Sequence, residues 1–245
     1  MTRDTSSAPS NSRSARPSIC VIVPALNEER SIGTVVRSAL EQVPNSHVLV
    51  VDDGSADATA REARRAGATV ASLPVNLGIG GAVQTGYRYA LRNEFDIAMQ
   101  IDGDGQHDAH EAVRLLDPLL RGEADMTVGS RWMGRGEFRS PLGRRVGMVV
   151  LSRIVRWKTG VAFSDTTSGF RAVGRAGIEL FAHRYPTDFP EVETIVLAAR
   201  HGLRVTDVPV KMIERQHGQS SISGLTSPYY MARVVTALVL TRHTV

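Results

Sequence analysis

Apolar residues along this chain come in two rhythms: short unbroken runs, and longer stretches in which they recur every three or four positions. Ile19-Cys20-Val21-Ile22-Val23, Val48-Leu49-Val50-Val51 and Ile97-Ala98-Met99-Gln100-Ile101 are runs of the first kind, the pattern of strands buried on both faces of a parallel sheet. Between them, 28–42, 56–66 and 80–92 read as helices; in the first, Ile32, Val35, Val36, Ala39 and Leu40 share one side. Residues 69–73 add a further strand. Strand and helix in alternation predict right-handed crossovers and a parallel sheet covered on both faces. Ligands of such sheets gather outside the carboxyl ends of the strands. Asn27, Asp53 and Asp102 each follow a strand end, so their loops are expected to converge on one cleft.

The chemistry begins at Asp102-Gly103-Asp104, two carboxylates on alternate residues at the end of a buried strand. A hard octahedral cation takes one or two protein carboxylates and leaves its other positions to water and diphosphate oxygens. A glycine between them lets the backbone approach closely. Asp and Gly are also ordinary turn residues, so the triplet alone permits a plain turn. Gly78-Ile79-Gly80-Gly81 opens a helix after a strand, where backbone amides can meet a phosphate or sugar. As a dinucleotide fingerprint it is incomplete, because Val83 stands where the third glycine belongs.

Composition narrows the class. With 245 residues, 42% hydrophobic and 22% charged, the chain can bury a sizeable core and has the make-up of a soluble globular protein. The formal charge of +4 favours anionic partners, but aromatics at 5% argue against single-strand nucleic-acid binding by base stacking. Cys20 is the one cysteine, which excludes an intramolecular disulfide. Residues 1–18, rich in Ser, Arg and Pro, read as a disordered tail with no secretory signal. No run reaches the ~20 apolar residues of a spanning helix.

Beyond Asp104 the chain turns arginine-rich, with Arg131, Arg135, Arg139, Arg144, Arg145, Arg153 and Arg156. A helix over 144–158 would gather Val146, Val150, Leu151, Ile154 and Trp157 on one side and Arg145, Arg153 and Arg156 on the other. Such a basic amphipathic helix suits core packing with a wet flank or an anionic membrane surface. Residues 225–245 suggest a last helix, with Met231, Val234, Val235 and Leu238 on one face.

Seven motifs stand in register: Val23-Pro24-Ala25-Leu26-Asn27-Glu28; Val51-Asp52-Asp53-Gly54-Ser55; Asn76-Leu77-Gly78 with Gly80-Gly81 and Gly86; Asp102-Gly103-Asp104-Gly105-Gln106-His107; Gly129-Ser130-Arg131; Asp165-Thr166-Thr167-Ser168-Gly169-Phe170-Arg171; and Val208-Pro209-Val210. This series resembles glycosyltransferase family 2, in its dolichol-phosphate mannosyltransferase-like (polyprenyl-phosphate glycosyltransferase) branch, over about 19–224, the expected catalytic domain. The resemblance implies an α/β GT-A fold with a central, mostly parallel sheet and helices on both faces, a UDP- or GDP-sugar donor, a Mg²⁺ or Mn²⁺ ion and inversion at the anomeric carbon. It implies that Pro24, Asn27, Glu28, Asp53, Gly78, Gly81, Asp102 and Gly103 hold the donor, with Asp53 and Glu28 suited to base and ribose hydroxyls. Asp52 braces its loop or caps a helix. Asp102, Asp104 and Gln106 are the implied metal site, in the DXD arrangement. His107 either touches the sugar or lies behind the ligands.

For the acceptor, the resemblance implies a polyprenyl phosphate faced by Arg131 and Arg144 or Arg145, with Asp165 and Ser168 on that side of the cleft. Guanidinium groups suit phosphate through paired donation. A phosphomonoester is already largely ionised at neutral pH, so no dedicated base is required, although Asp165, Glu191 and Glu193 remain candidates. Asp102, Asp104, Arg131 and Arg215 are the expected catalytic residues. Members commonly carry Ser-Lys after the Val-Pro-Val strand; here Ser220 is followed by Ser221, which leaves Arg215 to supply that loop's charge. Many relatives also carry transmembrane segments. The expected location is therefore the cytoplasm, with peripheral contact at the cytoplasmic membrane face or a small membrane-protein partner as the route to a lipid. Two other readings stand: the same donor chemistry with a soluble acceptor, and a noncatalytic nucleotide-sugar-binding protein.

Overall fold

The first strand, β1 (Ile19–Ala25), is buried along its whole length and divides the interior in two. Cys20 and Ile22 enter one core, while Ile19, Val21, Val23 and Ala25 enter the other, as the alternation of side chains across a strand requires. The structure, a computed structural model, describes residues 17–131 and 142–211 together with Val234 and Thr236; for 142–148 and Val150 it describes the backbone alone.

The other elements follow in the order α1 (Ile32–Gln42), β2 (Ser46–Asp52), α2 (Thr59–Arg65), β3 (Thr69–Ser72), α3 (Gly78–Arg92), β4 (Ile97–Gln100), α4 (Ala112–Leu120), β5 (Met126–Ser130), α5 (Leu142–Thr159), β6 (Arg171–Gly174), α6 (Arg175–His183), α7 (Pro190–Arg200) and β7 (Val205–Pro209). Among the described residues the strands form one sheet in the order β3-β2-β1-β4-β6-β5-β7. Every pairing is parallel except those of β6, which runs antiparallel to both β4 and β5. The sheet is thus mostly parallel with helices on both faces, as expected, and the reversal of β6 matters for the site. Because β6 is reversed, its first residue, Arg171, pairs with Gln100 at the end of β4. The segment leading into β6 therefore meets the loop leaving β4 at the same rim.

One face of the sheet packs Val83 and Tyr87 of α3, Ile178 and Phe181 of α6, Leu151 and Val155 of α5, and Ile195 of α7. Val234, helical and buried, joins that core; Thr236 is exposed. The other face packs Val35 and Val36 of α1, Ala63 of α2 and Leu115 and Leu116 of α4. Helix α3 lies so close to β1 that a Cβ on Gly86 would stand 2.3 Å from Ile22 Cγ2. Burial pushes the Cys20 thiol up to about 12, so it packs as a small apolar group and not as a nucleophile.

The helix expected over 144–158 runs over Leu142–Thr159, but its buried stripe differs from the expected one. Leu151 and Val155 face inward, whereas Trp157 is 74% exposed and Val149 50% exposed, beside exposed Arg153 and Arg156. Trp157 thus belongs to the basic face. No described helix is long and apolar enough to cross a membrane.

Candidate active site

Asp102 leaves the end of β4 in a cradle assembled from four directions. Its amide donates to Nδ1 of His107 at 3.0 Å, and Gln100 Nε2 donates to its Oδ1 at 3.2 Å. His107 Nε2 faces Oδ2 at 3.6 Å. Gly169 lies against the carboxylate, and a Cβ there would stand 2.8 Å from each oxygen. The His107 ring is buried and stacks on Phe170 with centroids 4.9 Å apart. Asp104, also buried, accepts the Gln106 amide at 2.9 Å, closing a short turn through Gly105 at φ 77. Gly103 passes so near β1 that a Cβ would meet the Pro24 carbonyl oxygen at 3.0 Å, which gives Pro24 and Gly103 a packing role between the two strand ends.

Three further loops are stitched together beside this cradle. Asn27, at φ 55, donates its amide to Ser55 Oγ at 2.9 Å and accepts the Ala56 amide on Oδ1 at 2.9 Å. The Glu28 amide donates to Thr59 Oγ1 at 2.8 Å, and its carboxylate takes the Ser31 hydroxyl at 2.7 Å. Asp53, buried, donates its amide to the Ala25 carbonyl at 2.9 Å and accepts the Leu77 amide on Oδ1 at 2.7 Å, tying the loops after β1, β2 and β3 together. Asp52 accepts the Ser55 amide at 3.1 Å, which is bracing of the loop and not helix capping, since α2 begins only at Thr59. The glycines opening α3 are explained by packing: a Cβ on Gly80 would meet the Pro186 carbonyl oxygen at 2.7 Å and one on Gly81 the Leu77 Cβ at 2.6 Å. The Gly78 amide donates to Asn76 Oδ1 at 2.8 Å.

Across the cradle, the chain leaves β5 at Arg131 and returns from α5 at Asp165, and these two residues are joined. Arg131 Nε donates to Asp165 Oδ2 at 2.6 Å, and Nη2 donates to Oδ1 at 3.0 Å and to Thr167 Oγ1 at 2.8 Å. Burial alone would raise the Asp165 carboxyl, yet the Arg131 guanidinium and the Thr167 and Arg131 amides hold it below the usual carboxylate range. Next to this pair, Asp207 of β7 takes the Ser164 hydroxyl at 2.7 Å; burial lifts its carboxyl, and the charge of Asp165 adds to the rise despite the Ser164 bonds.

Residues 20–176 match the model of a protein family described as glycosyl transferase family 2. The chain belongs to that family. A polyprenol monophosphomannose synthase of Mycolicibacterium smegmatis is 32% identical to it over 83% of this chain and 80% of the relative. An undecaprenyl-phosphate mannosyltransferase of Micrococcus luteus is 31% identical, over 84% and 88%. The solved glucosyl-3-phosphoglycerate synthase of Mycobacterium tuberculosis, in complex with Mn²⁺, UDP and glucosyl-3-phosphoglycerate, superposes with a TM-score of 0.68 at 26% identity, covering 92% of this chain and 80% of that one. The fold is accordingly GT-A, and the protein is a family 2 glycosyltransferase that uses a nucleotide-sugar donor.

In this glycosyltransferase the sheet brings Asn27, Glu28, Asp53, Asp102 and Asp104 to one rim, with Asp165 and Ser168 on the segment that enters β6 there. Arg131, expected to face an acceptor phosphate, pairs its guanidinium with the Asp165 carboxylate of its own chain and so closes the base of the excursion that carries α5. Arg144 and Arg145 lie on the backbone of α5, with side chains outside the described residues, and Arg215 and Ser221 also fall outside them. Among the described residues no three His, Cys, Asp or Glu side chains cluster as a closed metal site. Two rim carboxylates, Asp102 a third exposed and Asp104 buried, fit a hard cation that shares its remaining positions with water and diphosphate.

Sequence reasoning missed Arg171. Fully buried, it donates to the Ser168 carbonyl at 3.0 Å, to the Glu191 carbonyl at 2.8 Å and to Thr194 Oγ1, and so joins the segment before β6 to the start of α7. Its charge also bears on the acids nearby. Burial raises the Glu191 carboxyl, Arg171 pulls it back in part, and Asp102 raises it further. The available signal was an arginine inside the apolar run Phe170-Arg171-Ala172-Val173, a position that only a fully bonded guanidinium can occupy.

Proposed function

We propose that this glycosyltransferase moves a hexose, with inversion, from a UDP- or GDP-sugar to a polyprenyl phosphate in a reaction dependent on Mg²⁺ or Mn²⁺. One observation carries the reading: the Asp102 carboxylate rests on Gly169, so the donor-side carboxylate and the segment assigned to the acceptor share a wall. Asn27, Glu28 and Asp53 bind the nucleoside from loops already tied to one another. Asp102 and Asp104, with Gln106, hold the cation, which when bound supplies positive charge to the departing diphosphate. The acceptor phosphate oxygen attacks the anomeric carbon opposite the diphosphate. The new C–O bond forms as the old one breaks, and the electron pair leaves with the nucleoside diphosphate. A dianionic phosphate has no proton to give up, so the chain's task is alignment and charge stabilisation. Arg131 contributes by anchoring the acceptor segment through Asp165, and Arg144, Arg145 and Arg215 are proposed to supply cationic charge to the phosphates.

The lipid acceptor is supported by the names of the two mannosyl-transferring relatives and by the exposed face of α5. There Val149 and Trp157 alternate with Arg153 and Arg156, apolar and basic groups suited to an anionic bilayer surface. Contact is then peripheral, at the cytoplasmic face. A second reading, a soluble phosphorylated acceptor, is favoured by the solved neighbour's complex with glucosyl-3-phosphoglycerate. Turnover of nucleotide sugar with and without EDTA, in wild type and Asp104→Ala, tests the donor half: activity requires the metal and is lost in the variant. Wild-type turnover by Asp104→Ala would refute the metal assignment.

A further inference from the structure

His107 contacts Asp102 twice, through both ring nitrogens. The backbone amide of Asp102 can only donate, so the Nδ1 that it meets at 3.0 Å carries the lone pair. In the neutral ring the proton then sits on Nε2, which faces Oδ2 of the same aspartate at 3.6 Å, a directed electrostatic contact longer than a full hydrogen bond. The ring has little freedom to turn away: it is buried and lies nearly parallel to Phe170, with 13° between the planes. Phe170 immediately follows Gly169, the residue against which the carboxylate rests, so ring and carboxylate are seated on consecutive residues of one segment.

We infer that His107 is a positioning residue, working as the Nε2–H tautomer: it receives the Asp102 amide, directs its own N–H at the Asp102 carboxylate, and so fixes the direction in which that carboxylate meets the donor's cation. The inference rests on the reading of Asp102 as a cation ligand. With Oδ1 turned to Gln100 and Oδ2 toward His107, the two oxygens are held in unequal surroundings and the carboxylate cannot spin freely about its bond to Cβ. Partners behind a ligand of this kind are worth tenfold to a hundredfold in metal affinity. Neither sugar contact nor simple core packing requires both nitrogens to face one residue.

Two variants separate orientation from folding. In His107→Asn the amide oxygen reaches the Nδ1 position and accepts from Asp102, but nothing reaches Oδ2. His107→Phe keeps the stack on Phe170 and loses both contacts. The measurement is Mn²⁺ affinity in the presence of UDP or GDP, read from the electron paramagnetic signal of free Mn²⁺, beside the melting temperature of the metal-free protein and the ¹⁵N correlation spectrum of its histidine rings. The expected result is an Nε2–H signal pattern for His107 in the metal-free wild type. His107→Asn folds, with a lowered melting temperature from the lost stack on Phe170, and binds Mn²⁺ at least tenfold more weakly, while His107→Phe keeps the stack, loses both polar contacts and loses affinity to the same degree. A proton on Nδ1, or wild-type Mn²⁺ affinity in a folded His107→Asn, overturns the inference. Absence of Mn²⁺ binding by wild type overturns the donor-site reading and this role with it, while the ring spectrum still decides the tautomer.

Discussion

The Asp102 carboxylate rests on the backbone of Gly169, close enough that a Cβ there would lie 2.8 Å from both oxygens. The two residues are 67 apart in the chain. They meet because β6 runs against β4, which returns the segment before Arg171 to the rim that Asp102 occupies.

Gly169→Ala therefore displaces the carboxylate without demanding a forbidden backbone angle, since Gly169 is not among the glycines at positive φ. The variant is expected to fold, to melt within a few degrees of wild type, and to lose at least tenfold in kcat/KM, in keeping with the cost of ~1 Å misplacement at a reacting centre. Steady-state kinetics beside a melting curve check this. Full activity would mean that the contact does not govern Asp102.

Buried Asp165 pairs with the largely covered Arg131, and breaking the pair from one side leaves a charge without its partner. Arg131→Ala and Asp165→Ala should each cost ~3–5 kcal/mol in urea unfolding. The pH dependence has a definite sign. Asp165 has a depressed folded pKa, so its contribution is fully present above the unfolded value of ~3.9 and is lost as the pH falls through the lower folded value. Asp165→Asn should lose that acid limb of the stability profile while remaining less stable at neutral pH.

On α5, Trp157, Arg153 and Arg156 are exposed, so replacing all three by Ala should change stability by less than ~0.5 kcal/mol per site. Co-sedimentation with phosphatidylglycerol vesicles should fall severalfold for each arginine removed, at ~1 kcal/mol apiece, and should weaken with added salt. Undiminished vesicle binding by the triple variant would remove α5 from the membrane contact.

Gly86→Ala should destabilise by about 1–3 kcal/mol, because the new methyl must push α3 away from β1 or Ile22 from its place. Combining it with Ile22→Ala, which removes the clashing Cγ2, should cost less than the sum of the two single losses in a double-mutant cycle. Additive losses would show that the contact is relieved elsewhere.

The strands β1, β2 and β4 were legible because burial on both faces makes their sequences nearly continuous in apolar residues. Helix starts were less so. The helix expected from 28 begins at Ile32, because the Ser31 amide and hydroxyl turn back to the Glu28 carbonyl and a separate turn precedes α1. The reversed β6 was not legible, since a short apolar strand carries no mark of direction. Trp157 was misplaced because α5 offers two apolar stripes, and the one through Leu151 and Val155 is what the core takes. At the site, the acidic triplet and the Asp53 loop could be found from residue type and spacing. The Arg131–Asp165 pair could not, because an arginine suited to phosphate is equally suited to a carboxylate of its own chain, and buried Arg171 left one mark, its place inside an apolar run.

Sugar transfer to a lipid phosphate at the Asp102–Gly169 wall is a proposal with a direct readout. It is tested most directly by incubating the protein with Mn²⁺, labelled nucleotide sugars and undecaprenyl phosphate, and following the label into an organic phase. The expected result is organic-phase label that requires Mn²⁺ and undecaprenyl phosphate and is lost in Asp102→Asn. Metal-dependent donor turnover with label confined to water-soluble products would contradict it.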